Sequence, residues 1–339
     1  MPEKLVFKRL PVAPEPDELL IRAFRHASKA ASAIRAGGKP LEVAKRREAE
    51  RIKAMGKTVG TNLTKLVAGT PSLSNLPPFY QELVWALVNV NTMRKSLGAI
   101  DGTAKVVGKL EREHLRRLRT VRSPAEAAAI RRQAYGRISS VVRRAGGHLT
   151  FLREAAGKLM DLPSVYIDMP TIVIAGYPNV GKTTLLRQLT GSEPEIASYP
   201  FTTKGLKLGY FERNHVRYQV IDTPGLFDRP LEKRNPIERQ AIAALRNLAD
   251  VVIFMLDPSG TCGYEFEGQL HLLEDVTKTF DGIKVLAVAN KADLLDEQRM
   301  SEVRKLYEDI IFISAATGQG VQELEGRVMK YLLNSPSFA

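Results

Sequence analysis

Cysteine is nearly absent from the 339-residue sequence, which contains only Cys262. A lone cysteine excludes an intrachain disulfide and a cysteine-based metal cluster. The sequence also lacks an N-terminal signal pattern and any run of about 18 or more apolar residues. We therefore expect a cytoplasmic protein without stable membrane insertion.

Acidic residues are scarce in the first half of the chain. Residues 1–165 contain 31 Lys and Arg against 14 Asp and Glu, a net charge of +17, whereas residues 166–339 contain 19 against 23, a net charge of −4. A solvated surface of ion pairs would need more carboxylates than the first half contains. The imbalance therefore predicts a polyanionic partner for this half, either nucleic acid or a membrane surface.

Helical periodicity dominates residues 1–165. Helices are predicted from Pro16, over residues 41–67, over residues 81–118 and from Ser123 onward, with short breaks between them. Long helices joined by short connections are typical of an antiparallel bundle. We predict a basic helical bundle over residues 1–165, preceded by an extended, proline-rich arm over residues 1–15.

The pattern changes near residue 165. Short apolar runs then alternate with helical stretches, the runs being TIVIAG, KLGYFER, VRYQVID, DVVIFMLD, KVLAVAN and DIIFIS. This alternation predicts a mostly parallel sheet covered by helices on both faces. We assign residues 166–339 to an α/β domain of this kind.

The segment GYPNVGKTT links the first of these apolar runs to a helical run, and it fits the phosphate-loop pattern G-x-x-x-x-G-K-[ST]. Glycines let backbone N–H groups face phosphate oxygens, and the following helix adds its partial positive charge. We expect Lys182 to reach the β- and γ-phosphates and Thr183 to ligate Mg²⁺. The predicted nucleotide contacts are Gly176, Asn179, Val180, Gly181, Lys182, Thr183 and Thr184. The sequence thus predicts a P-loop domain that binds a nucleoside triphosphate.

Two further segments are predicted to complete the phosphate and metal site. Asp222 begins the segment DTPG at the end of the run VRYQVI, where ligands bind in open α/β sheets. We expect Asp222 to hold Mg²⁺ through water and the Gly225 N–H to contact the γ-phosphate. In YPFTTKG, a hydroxyl would close over Mg²⁺ and the γ-phosphate, with Thr203 preferred to Thr202. The alternative for either threonine is a solvated loop position.

The segment NKAD, residues 290–293, follows the run KVLAVA and predicts recognition of guanine. The Asp293 carboxylate can accept two hydrogen bonds from a base edge that bears both a ring N–H and an exocyclic amine. Guanine offers this pair of donors, whereas adenine lacks the amine at that edge. A site built on such bonds discriminates strongly between bases. The aliphatic stem of Lys291 can cover the base. Ser314, Ala315 and Ala316 offer N–H groups, chiefly that of Ala315, to the guanine carbonyl. With Asn290, these residues predict a site for GTP and GDP.

Two residues bear on the rate of hydrolysis. Leu226 follows Gly225, so no glutamine stands where many GTPases hold their water-orienting side chain. We expect slow intrinsic hydrolysis, with Lys182, Thr203, Gly225 and Asn179 as the catalytic candidates. The Asn179 amide oxygen either holds a monovalent cation such as K⁺ beside the phosphates or satisfies backbone groups of its own loop.

These motifs resemble those of the NOG family of nucleolar GTP-binding proteins, within the Obg/HflX-like GTPases. The resemblance rests on GYPNVGKTT, YPFTTKG, VIDTPGLFDRPLEKRN and NKAD, and extends upstream to FYQELVWALVNVN and GRISSVVRR. It implies GTP hydrolysis in assembly of the large ribosomal subunit, with ribosomal RNA and large-subunit precursor proteins as partners. We expect a monomeric short form without the C-terminal extension of eukaryotic members. The alternative is a scaffold on RNA or a membrane surface in which the nucleotide is structural and turnover incidental.

Overall fold

The chain forms two units in the computed structural model, which describes residues 7–35, 37–199, 205–227 and 234–333. Residues 7–72 and 88–160 form the helical unit. Residues 73–87 belong with the chain from residue 161 onward, in what we call the sheet unit. The predicted boundary at residue 165 lies close to residue 161, where the second unit resumes, and residues 73–87 pack with that unit although they precede the boundary in sequence.

The described residues of the helical unit form the helices α1 (Pro16–Ser32), α2 (Pro40–Ala68), α4 (Val90–Arg119), α5 (Pro124–Arg144) and α6 (Gly146–Met160). A proline stands at the start of α1, α2 and α5, where its fixed φ favours the first helical turn. The connections between α1 and α2 and between α4 and α5 are short, as in antiparallel bundles. Helix α2 packs against α1, α4 and α5, and Ile52 of α2 is fully buried in a core that α2 shares with α4 and α5.

The helix predicted over residues 81–118 is two helices. Helix α3 (Pro78–Leu87) ends before Asn89, whose extended backbone and side chain cap α4 by accepting a hydrogen bond from the Thr92 N–H at 2.9 Å. Apolar spacing continues across the break, which is why periodicity did not reveal it. The helix predicted from Ser123 is also interrupted, at Ala145 between α5 and α6.

Helix α3 belongs to the sheet unit because its apolar face is buried there. Tyr80 is 1% exposed, and its hydroxyl donates a hydrogen bond to the Pro163 carbonyl at 3.1 Å. The helix also packs against α8 (Pro236–Arg246) of the same unit.

Residues 7–15, the described part of the predicted extended arm, contain buried apolar side chains. Phe7, Leu10 and Ala13 are buried. Pro11 lies so close to the end of α2 that a Cβ atom on Gly69 would meet its Cγ at 2.9 Å. Three apolar side chains at a spacing of three residues are thus removed from water in a stretch without regular secondary structure.

A single sheet organises the second unit and confirms the predicted fold class. Its described strands are β1 (Thr171–Ala175), β2 (Glu195–Ala197), β3 (Leu206–Arg213), β4 (Val216–Asp222), β5 (Val251–Leu256), β6 (Lys284–Ala289) and β7 (Ile311–Phe312), in the order β2-β3-β4-β1-β5-β6-β7. Strands β4, β1, β5, β6 and β7 are parallel, whereas β3 runs antiparallel to β4 and β2. The short edge strand β2 was not predicted.

Helices α7 (Lys182–Thr190), α8, α9 (Phe266–Thr279), α10 (Glu297–Leu306) and α11 (Val321–Leu333) complete the sheet unit. Strands β1 and β5 are buried along their whole length, as expected for central strands covered on both faces. The carboxyl ends of β1, β4, β5 and β6 therefore open at one edge of the sheet, where the segments singled out above begin. None of the described helices is both long and apolar enough to span a bilayer.

Candidate functional site

The loop between β1 and α7 has the backbone of a phosphate cradle. Gly176, Asn179 and Gly181 all have positive φ, at 135°, 63° and 101°. A Cβ atom at Gly176 would collide with the Met255 carbonyl oxygen, and one at Gly181 would collide with the Asn290 side-chain amide. Both glycines are therefore required by close approach as well as by backbone angle.

Helix α7 presents its N-terminus to this loop without a side-chain cap. Its first N–H groups and partial positive charge are the elements that hold a phosphate. Lys182 is 8% exposed, and its ammonium donates to the carbonyls of Gly176 and Tyr177 at 2.8 and 2.7 Å. These bonds hold a positive charge against the loop. Thr184, also predicted as a contact, lies exposed in the same helical turn.

Thr183 and Asp222, the two described residues among the predicted metal ligands, contact each other. The Thr183 hydroxyl donates to Asp222 Oδ2 at 2.6 Å, and Asp222 is fully buried at the end of β4. Burial raises the pKa of Asp222, against the opposing effects of the Thr183 hydrogen bond and the nearby Lys182 and Lys207 charges.

The free oxygen of this carboxylate tests whether Mg²⁺ fits. Asp222 Oδ1 is buried and has no hydrogen-bond partner among the described residues. Such an oxygen is costly unless a cation or its bound water satisfies it. Within the described ranges, no group of three or more His, Cys, Asp and Glu side chains could hold a metal. One threonine, one carboxylate and substrate phosphates are the ligand set that Mg²⁺ favours, so the pair fits.

The turn after β4 begins with Thr223 and contains Gly225. The Thr223 hydroxyl donates to the Ile174 carbonyl at 2.8 Å and ties the turn to β1. Gly225 has a φ of 75° and open space where a Cβ would stand. Leu226 is 1% exposed. Its side chain therefore lies in the core and is not available to orient water.

Asn290 links the phosphate loop to the candidate base site. Its amide nitrogen donates to the Val180 carbonyl, and its oxygen accepts from the Ala315 N–H, both at 2.8 Å. The side chain is 3% exposed. Sequence reasoning had placed the Ala315 N–H against the guanine carbonyl, but in this structure that N–H is engaged by Asn290. In the same loop, Ser314, which precedes Ala315, is buried, and Ala316, which follows it, is exposed.

A short 3₁₀ turn (Ala292–Leu294) follows β6; Lys291 directly precedes it and Asp293 lies within it. Lys291 has a φ of 61°, and its ammonium donates to Asp257 Oδ2 at 2.6 Å and to the Thr261 hydroxyl at 2.7 Å. These bonds fix the aliphatic stem as a possible cover for a base. Asp293 is exposed, and its carboxylate forms no hydrogen bond or ion pair with the described residues, so it is available for a ligand.

Asp257 is a site residue that the motifs did not reveal. It is fully buried after β5 and accepts bonds from the Ser259 hydroxyl, the Thr261 hydroxyl and the Lys291 ammonium. Burial by itself would raise the pKa of Asp257, but these hydrogen bonds and the Lys291 charge hold it below the usual value. Its position at a strand's carboxyl end was the available signal.

Asn179 is exposed at the tip of the phosphate loop, and no hydrogen bond of its side chain is found among the described residues. Thr202 and Thr203, predicted to close over the metal, lie outside the described residues.

Known protein families match both units. The family model described as the NOG1 N-terminal helical domain matches residues 7–166. The model described as Nucleolar GTP-binding protein 1 (NOG1) matches residues 236–293, which include the segment NKAD.

Individual relatives extend this likeness along the chain. An uncharacterized protein of Methanocaldococcus jannaschii is 43% identical over 295 residues, which are 87% of this chain and 83% of that one. Nucleolar GTP-binding protein 1 of Saccharomyces cerevisiae is 32% identical over 98% of this chain and 53% of its own length. The G domain of the FeoB iron transporter of T. maritima, a solved structure, is 30% identical over 48% of this chain and 98% of that one, with a TM-score of 0.39. The chain thus spans about half the length of the yeast relative.

Proposed function

This chain belongs to the family of nucleolar GTP-binding protein 1, and from that premise we propose that it binds and hydrolyses GTP during assembly of the large ribosomal subunit. The helical unit docks on ribosomal RNA, and the sheet unit holds the nucleotide. The proposal includes precursor proteins of the large subunit as partners, a monomeric state and a cytoplasmic location. The observation that carries the nucleotide part is Asn290, which joins the phosphate loop to the base-binding loops with two buried bonds.

Hydrolysis adds the oxygen of water to the γ-phosphorus and breaks its bond to the oxygen that bridges to the β-phosphate. Lys182 supplies a fixed positive charge beside the β- and γ-phosphates, and the Gly225 N–H supplies a donor. Thr183 and Asp222 would hold Mg²⁺, which supplies neutralisation of phosphate charge when bound. Because Leu226 is buried, no side chain at that position orients water, and the intrinsic rate is slow.

Turnover should be faster in K⁺ than in Na⁺ because the free Asn179 amide would help to hold the larger monovalent cation near the phosphates. Phosphate release from GTP measured in matched KCl and NaCl, for the protein and for Asn179→Ala, tests this expectation. The variant should lose the K⁺ advantage while keeping its affinity for GDP in NaCl. Identical rates in all four conditions would leave the water-orienting group to a binding partner.

The basic cluster of α2 contributes mainly to the fold of the helical unit. Lys45, Arg46 and Arg47 donate to backbone carbonyls at the end of α4 and in the connection after α1, at 3.3, 2.5 and 3.3 Å. Since their donors are engaged within the unit, they are weaker candidates for RNA binding than the arginines of α5.

A groove between α1 and α5 is the better candidate surface for RNA. It encloses about 650 Å³ and is lined by Phe24, Tyr135, Gly136, Ser139, Ser140, Arg132, Arg143 and Arg144. The Phe24 and Tyr135 rings lie 5.1 Å apart, and Phe24 is 36% exposed. Aromatic faces stack unpaired bases and arginines bind phosphates, so this groove suits single-stranded segments of ribosomal RNA.

The arginines of this groove keep their charges accessible. Arg132 and Arg144 are exposed. Arg143 pairs with Asp17 at 3.0 Å, but both side chains are well exposed, and such surface pairs exchange readily for a phosphate. The helical unit therefore supports the RNA proposal by charge as well as by shape.

RNA affinity of the full chain should fall steeply with salt, with a slope of about −0.7 for each phosphate neutralised on a single strand. The double variant Arg132→Gln/Arg144→Gln should bind more weakly and lose about 1.4 from the magnitude of that slope if each arginine holds one phosphate. Titration of single-stranded ribosomal RNA segments across a salt series checks both values. The full chain is needed because residues 73–87 pack in the sheet unit.

The matched control is Lys278→Gln/Lys305→Gln, which removes two exposed charges from the sheet unit. It should leave RNA binding unchanged. A flat salt response, or equal losses in both double variants, would contradict RNA docking through this groove. Preferential binding to anionic vesicles would favour a membrane scaffold. The observation that supports this alternative is the buried Leu226, because a site without a water-orienting side chain turns over slowly.

A further inference from the structure

Lys207 contacts the metal-ligand pair, although no motif contains it. It is the second residue of β3, and its Cα partner in the antiparallel register is Asp222 of β4. Directly opposed residues on neighbouring strands project on the same side of the sheet. The Lys207 ammonium donates to the Thr183 hydroxyl oxygen at 2.8 Å.

The three side chains form one chain of charge-assisted hydrogen bonds. Lys207 donates to the Thr183 oxygen, and the Thr183 hydroxyl donates in turn to Asp222 Oδ2 at 2.6 Å. Asp222 is fully buried, so its negative charge needs a compensating positive charge nearby. Lys182, the other close cation, has its ammonium bonded to two loop carbonyls.

Lys207 and Mg²⁺ would compete for the same oxygen atom. Mg²⁺ ligated by Thr183 Oγ1 would bind the same oxygen to which the ammonium donates. Two cations on one hydroxyl oxygen repel each other strongly in a site of low dielectric constant. Lys207 must therefore swing away when Mg²⁺ binds.

We propose that Lys207 is a built-in competitor of Mg²⁺ at the Thr183–Asp222 pair. When Mg²⁺ is scarce, the Lys207 ammonium neutralises the charge of Asp222 and so helps to retain bound nucleotide. When Mg²⁺ is present, the same ammonium lowers the affinity of the site for the ion. This inference rests on the proposed nucleotide site. If Lys207 acts in this way, the rate of nucleotide dissociation depends only weakly on the Mg²⁺ concentration. Nucleotide exchange then does not require prior loss of the metal.

Dissociation of a fluorescent GDP analogue, chased with unlabelled GDP in excess Mg²⁺ or excess EDTA, tests this role. The ratio of the rate in EDTA to the rate in Mg²⁺ should rise by roughly tenfold or more in Lys207→Met, because one charge-assisted bond is lost. The Mg²⁺ concentration that half-slows dissociation should fall in the same variant. Lys207→Arg, which keeps the charge, should recover most of the wild-type ratio.

Lys278→Met is the matched control, since it removes an exposed lysine charge from α9. It should leave the ratio unchanged. Binding of the analogue by Lys207→Met in Mg²⁺ shows that the variant folds. An unchanged ratio and Mg²⁺ midpoint in that variant would overturn the role of Lys207 and leave the nucleotide site intact. Failure of the wild type to bind the analogue in Mg²⁺ would contradict the proposed function itself.

Discussion

Asp293→Asn is expected to weaken GDP binding by about 10²- to 10⁴-fold and to shift preference toward xanthine nucleotides. The exposed Asp293 carboxylate would accept two bonds from guanine, each about 1.5–3 kcal/mol as a bond to a charged group. Asparagine presents one acceptor and one donor instead. The donor repels the guanine amine but matches the carbonyl that xanthine carries at that position.

Competition of GDP and xanthosine diphosphate against a fluorescent analogue measures this change directly. Asp309→Asn is the matched control because it removes an exposed carboxylate of the same unit outside the candidate site. It should leave both affinities within about twofold, in keeping with small effects of surface substitutions. Equal losses for both nucleotides in Asp293→Asn, with no gain for xanthine, would assign base recognition to other residues.

Asn290→Ala is expected to destabilise the sheet unit and to lower nucleotide affinity together. The substitution leaves the Val180 carbonyl and the Ala315 N–H unpaired in a buried position. Each unpaired buried group costs about 1–3 kcal/mol, so the free energy of unfolding should fall by roughly 2–6 kcal/mol. The phosphate loop and the base loops also lose their common anchor, so the site is no longer held in its binding geometry.

Urea unfolding followed by tryptophan fluorescence suits this measurement. The chain has one tryptophan, Trp85, and it lies on α3 within the sheet unit. Asn247→Ala, a change at an exposed asparagine, is the control and should shift stability by no more than about 0.5 kcal/mol. Unchanged unfolding of Asn290→Ala would show that the two hydrogen bonds contribute little, and the bridging role of Asn290 would then fall.

The segments that hold the candidate site could be predicted because each is contiguous and follows a strand. The spacing of Gly176 and Gly181 predicts a loop whose backbone angles exclude most other residue types, and both glycines have positive φ in the structure. Asp222 could be placed because the carboxyl ends of parallel strands gather at one edge. Its bond to Thr183 follows from the adjacency of β1 and β4.

Contacts between distant segments could not be predicted in the same way. Lys207 meets Thr183 only because β3 pairs antiparallel with β4 in one particular register. The sequence around Ala315 predicts a hydrogen bond from its N–H to the base. It does not reveal that this N–H donates instead to the Asn290 side-chain oxygen. Lys45 donates to the Arg119 carbonyl at the end of α4, and a contact of this kind depends on where other helices end.

Membership of the two units raised the same difficulty. Apolar spacing runs through residues 81–118 without a gap, yet Asn89 divides the stretch between units. Periodicity reports that a face is buried but not which partner buries it. The burial of Phe7, Leu10 and Ala13 in a proline-rich segment was missed because irregular chain carries no periodic signal.

The most direct test of the account is a calorimetric titration of GDP and of ADP into the full chain in the presence of Mg²⁺. The central claim is a guanine site in which Asp293 reads the base and the Asn290-linked loops hold it. Adenine carries its amine on C6 and has neither the N1–H nor the C2 amine that the carboxylate would bind, so GDP should bind at least about 10²-fold more tightly than ADP. Equal affinities for the two nucleotides, or no binding of GDP, would contradict the claim.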